Sequence, residues 1–114
     1  MSVAIVLPKE IGVGKEREVQ TLLADQWRKL VLIRIRQGAI LADHSAQVSI
    51  TIHALLGRGI LRLGEEEHVL VPGVIVPVNA HVIHNVQGDP DLAILVTFFR
   101  RSEHGETETT AQFD

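Results

Sequence analysis

Six histidines, His44, His53, His68, His81, His84 and His104, carry the side-chain chemistry that this chain can run near neutral pH. An imidazole gives and takes protons there, and its neutral ring is a common metal ligand. No cysteine is present, which excludes thiolate metal sites, thiol catalysis and a disulfide framework. His44 and His84 stand out by spacing. Gly38 precedes His44 by six positions, and Ala46, Ile50 and Gly57 follow it. In a second block Gly73 leads to Asn79, His81, His84 and Gly88. Gly57 and Gly73 fall where tight turns between strands need a residue free to take positive φ.

Side chains of such spacing need short strands to aim them, and the pattern supplies these. Trp27 to Arg36 alternates, with Val31, Ile33 and Ile35 on one face and Arg34 and Arg36 on the other. Val48 to Leu56 sets Val48, Ile50, Ile52 and Ala54 against Ser49, Thr51 and His53. Arg58 to Leu63 and Glu66 to Val71 flank Gly64-Glu65, a two-residue hairpin turn. Pro72-Gly73 and Gly88-Asp89-Pro90 read as turns, and Leu92 to Phe99 is apolar on both faces. Closely spaced strands with no helical period predict an all-β barrel or sandwich. Lys15 to Asp25 reads as an early strand or an irregular turn. Ser102 to Asp114 is polar and reads as a flexible tail.

Alternation also sorts the histidines. If His44 faces the interior, Ile50, Ile52 and Ala54 share its parity, while His53 and Asp43 face outward. His68 follows three glutamates at a hairpin, where a solvated strand start is the natural reading, and His104 lies in the polar tail. Arg34 and Arg36 read as a solvated strand edge, with reach to an anionic ligand as the alternative.

Length and composition narrow the class. At 114 residues the chain is one domain, 1–114, with its barrel over about 30–99. A net charge of −3 argues against nucleic acid, and the lack of tyrosine, with one tryptophan and three phenylalanines, argues against a base-stacking platform. No apolar run is long enough to span a membrane. The N-terminal stretch is too short and too weakly flanked for a signal peptide, so a cytoplasmic location is expected. Apolar residues on both faces of Leu92–Phe99 and of Leu30–Ile33 lead us to expect a homodimer, because a barrel this small has only one interior.

The two blocks resemble the paired motifs of the cupin family, G-x5-H-x-H-x3-E-x6-G followed by G-x5-P-x-G-x2-H-x3-N. The likeness covers about Leu30 to Phe99 and implies an antiparallel β-barrel of the cupin, or jelly-roll, type. In metal-binding cupins the first block supplies two histidines and a glutamate and the second supplies one histidine. Carried over by position, His44 and His84 are retained, whereas Ala46 and Ile50 stand at the other two ligand positions. Asn79 replaces the family's proline, Gly88 its asparagine, and His81 a turn glycine, where it is either a pocket-rim residue or turn filler. The resemblance therefore implies a degenerate metal site, with His44 and His84 holding at most a weakly bound divalent transition metal. It implies a pocket of His44, His84, His81, Ile50 and Ile52 for a small, largely apolar ligand, with isomerase- or oxygenase-like activity within the family's range. The alternatives are a non-catalytic ligand-sensing module and a weakly metal-dependent oxidoreductase.

Overall fold

The computed structural model describes residues 3–100, so the expected flexible tail at 102–114 lies outside the described residues. Seven strands follow one another: β1 (Arg17–Ala24), β2 (Arg28–Ile35), β3 (Ile40–His44), β4 (Ile50–Leu63), β5 (Glu66–Leu70), β6 (Ile75–Val78) and β7 (His84–Phe99). All pairings are antiparallel, and no helix occurs among the described residues. None is therefore long and apolar enough to cross a membrane.

β4 and β7 are long because each serves two halves of the barrel. The first part of β4 pairs with β6 and with the second part of β7, which continues to β2 and β1. The second part of β4 pairs with β5 and with the first part of β7, which continues to β3. The two halves close on one core that includes Ile35, Ile52, Ile94 and Val96 from one side and Leu61, Leu70 and Val86 from the other. Period-2 alternation explains most of this: Val31, Ile33 and Ile35 of β2 all point inward, as their parity predicts.

Two expected turns are instead inside strands. The two strands expected over 48–56 and 58–63 are one continuous β4 that begins at Ile50, and Gly57 sits within it at φ 76. Ala54 pairs with Ile94 and Leu56 with Ala93, so Leu55 is the extra residue of a bulge. That insertion switches the inward set from Ile50, Ile52 and Ala54 to Gly59, Leu61 and Leu63. Gly88-Asp89-Pro90 likewise lies within β7, where Gly57 pairs with Leu92 but Gly59 with Gly88, leaving 89–91 to bulge opposite Arg58. A side chain at Gly57 would run into the Asp91 carbonyl. Gly73 (φ 98) and Gly64 (φ 60) do serve turns, the latter in the expected two-residue hairpin.

The early segment is a strand, β1, so the sheet extends well before residue 30. Arg36 is neither a solvated edge nor a ligand contact. Its side chain is only 6% exposed, and its guanidinium donates to the carbonyls of Ile11, Gly12 and Lys15 and to the Glu18 carboxylate. That hydrogen bond from Arg36 holds the Glu18 carboxyl below the ordinary carboxylate range. The N-terminal segment so clamped brings Ile11 against Gly57. Of the outer-face residues behind the expected homodimer, Leu32 and Ala93 are fully buried within one chain.

Candidate functional site

The pocket histidines are brought together by the pairing of β3 and β7. His44 and His84 are direct register partners, with ring centroids 4.2 Å apart and planes tilted by 60°. A one-residue irregularity between Leu41 and His44 lets both residues face inward, Leu41 opposite Val86 and His44 opposite His84. The strands are thus neighbours in one half of the barrel. Behind them a polar chain crosses the outer face. Asn85 donates to Asp43 (2.8 Å), Arg62 donates to Asn85 (3.0 Å) and Gln87 (2.9 Å), and Arg62 also pairs with Glu67. Asp43 and Asn85 are the chain neighbours of His44 and His84, so their bond supports the register that brings the two rings together. No feature of the sequence pattern singled out Arg62, Asn85 or Gln87.

Each imidazole is oriented by a carbonyl two residues earlier. His44 Nδ1 lies 2.9 Å from the Ala42 oxygen, and His84 Nδ1 lies 2.9 Å from the Val82 oxygen. A carbonyl can only accept, so each Nδ1 carries the proton and each Nε2 carries the lone pair of the neutral ring. Among the described residues neither Nε2 has a hydrogen-bond partner. His84 is 2% exposed, whereas His44 stands at the exposed mouth. Burial, reinforced by the neighbouring His44, pushes the His84 imidazole below its ordinary pKa against the opposing Val82 hydrogen bond and the Asp43 charge.

These rings line a cavity of about 130 Å³ between the two halves of the barrel. Ile50, Ile52, Ile94, Val96 and Phe98 wall it from one half, with Leu41 and Val86 from the other. Ser45 is the one further polar side chain of the wall, and Ala46 completes the mouth. His81 is not part of it. It is exposed in a turn at φ 69, and its N–H donates to the Ala46 carbonyl at 2.7 Å. The family's glycine at that position explains the conformation, since positive φ suits a residue without a Cβ. His53 pairs with Ile75 and Leu95 outside the cavity.

No protein-family model matches this chain, and no curated protein matches it. Solved structures do. A cupin superfamily protein from Desulfitobacterium hafniense aligns with a TM-score of 0.71 at 17% identity, covering 83% of this chain and 84% of that one. An RmlC-like cupin from Shewanella frigidimarina aligns at 0.70 and 22% identity, over 82% and 84%. KdgF from a Halomonas species aligns at 0.69 and 19% identity, over 82% and 86%. Similarity at this level is similarity of fold: the chain is a small cupin-type barrel.

The ligand set implied by the cupin motifs does not fit the residues present. Ala46 and Ile50 line the same cavity as the histidines, but neither side chain has a donor atom. Among the described residues no three histidine, cysteine, aspartate or glutamate side chains come together as a metal site. Two imidazoles fall short of the three protein ligands typical of catalytic zinc and of the carboxylate that non-haem iron takes.

Proposed function

We propose that this protein binds a small, largely apolar molecule inside the barrel, oriented by His44 and His84. One observation carries the reading. A cavity walled by hydrocarbon apart from Ser45 contains two imidazoles whose Nδ1 atoms are committed to the backbone and whose Nε2 atoms have no partner among the described residues. Buried polar atoms are normally satisfied, and the exception at the buried His84 is a place for a water or a ligand to bind. An apolar cavity of roughly 150 Å³ holds benzene, so about 130 Å³ suits a ligand of roughly six to eight non-hydrogen atoms. A fragment of that size binds with a Kd on the order of 0.1–1 mM.

The test is a titration with toluene and phenol, followed through the methyl resonances of Ile50, Ile52, Ile94 and Val96. Those methyls should shift with saturation, and Ala46→Phe, which fills the mouth, should abolish the effect. A folded protein whose cavity methyls respond to neither compound at millimolar concentration would remove the proposal. The homodimer remains part of this reading, with half-exposed Trp27 and Phe99 at adjoining strand ends as its contact. Sedimentation equilibrium giving the 12.6 kDa monomer at micromolar concentration would count against it.

A further inference from the structure

We propose that the ligand is a neutral hydrogen-bond donor, an alcohol or a phenol, whose hydroxyl donates to Nε2 of the buried His84. The inference rests on the ligand-binding reading above and adds the chemical class. Three properties of the wall decide it. Both Nδ1–H groups are consumed by the Ala42 and Val82 carbonyls, so the neutral rings offer acceptors and no donors. Among the described residues no lysine or arginine reaches the cavity, so they offer a carboxylate or phosphate no counter-charge there. Among the described residues no carboxylate reaches it either, because Asp43 is turned to the outer face and accepts from Asn85. An organic cation is therefore as poorly served as an anion.

A ligand carbonyl or ether would set lone pair against lone pair at His84. A hydroxyl supplies the proton that the buried ring lacks, while its hydrocarbon body meets Ile52, Ile94, Val96 and Phe98. His44 Nε2, on a ring only 4.2 Å away, is a second acceptor within reach of the same end of the ligand. Ser45 does not discriminate, because its hydroxyl rotates to donate or accept. Sites built to hydrogen-bond a hydroxyl reject analogues that lack it, since the site's own polar atom is then left unpaired.

Three ring compounds of similar size separate the possibilities: phenol, toluene and benzoate, titrated at pH 8 by calorimetry. Phenol should bind at least tenfold more tightly than either of the others. The His84 Nε2 nitrogen resonance should shift with phenol and stay in place with toluene. His84→Leu should bind phenol and toluene alike; the nitrogen shift, read on the unaltered protein, decides the matter if that variant does not fold. Equal affinity of the unaltered protein for phenol and toluene would overturn donor recognition while leaving an apolar binding cavity. Benzoate binding most tightly would overturn it in favour of an imidazolium site. Failure of all three compounds would remove the binding reading itself, and this inference with it.

Discussion

Replacing Ala46 by histidine and Ile50 by glutamate tests the geometry of the pocket most severely, because both positions line the cavity that His44 and His84 share. Without metal the double variant should be weakened. Ile50 is 4% exposed, so its replacement removes about 1.5–3 kcal/mol of side-chain burial. The carboxyl put there must either stay protonated or ionise at a cost, bringing the total to roughly 3–5 kcal/mol. For a domain of this size that lowers the melting temperature by roughly 15–30 °C. Zinc should reverse most of the loss. Four converging ligands on a preformed frame should bring the Kd to the order of 0.1 µM, so free zinc at about a thousand times that Kd returns about 4 kcal/mol. The unaltered protein, with two ligands, should gain well under 1 kcal/mol at the same zinc concentration. Thermal melts with zinc and with a chelator, supported by calorimetric titration, read both effects. A double variant that folds but melts identically in zinc and in chelator would show that residues 46 and 50 do not converge with the two imidazoles, and the site described here would fall.

Three further outcomes follow from the same geometry. Stability should depend on pH through His84: its pKa lies below the ordinary 6.5, so the unfolded chain binds the proton first as pH falls. Stability is therefore fully present above about 6.5 and declines as pH drops from there towards the folded-state value, and this part of the profile should disappear in His84→Gln urea titrations. Gly57→Ala should cost roughly 3 kcal/mol or more, from a left-handed backbone and a collision with the Asp91 carbonyl, and a loss below about 1 kcal/mol would mean that the bulge yields freely. Arg36→Met should cost roughly 2–4 kcal/mol and speed amide exchange across residues 11–18, because it strips the carbonyls of Ile11, Gly12 and Lys15 of their donor. Unchanged exchange there would show that the N-terminal segment is held by other contacts.

What the sequence made legible depended on whether one strand period held across the residues concerned. Over β2 it did, so Val31, Ile33 and Ile35 share one face in the sequence pattern, and that face is the buried one. Ile50, Ile52 and Ala54 also kept a common parity, because the bulge in β4 falls after Ala54. His44 lines the same cavity although residues 45–49 between it and Ile50 are not strand, so its agreement with Ile50 does not come from one continuous period. Beyond Leu55 the rule fails, and Gly57 looks like a turn between strands when it is the positive-φ residue of a bulged one. The same ambiguity hides the bulge at Gly88-Asp89-Pro90, since a turn and a bulge draw on the same residues. Arg36 was misread for a different reason. Parity places it correctly on the outer face, but an outer face is solvated only where nothing crosses it, and the crossing segment is joined to Arg36 by contacts distant in sequence. The protonation of the two imidazoles was beyond sequence altogether, because it is set by where the Ala42 and Val82 carbonyls point. That backbone detail, rather than the presence of two histidines, turns the cavity from an incomplete metal site into a pair of acceptors facing hydrocarbon.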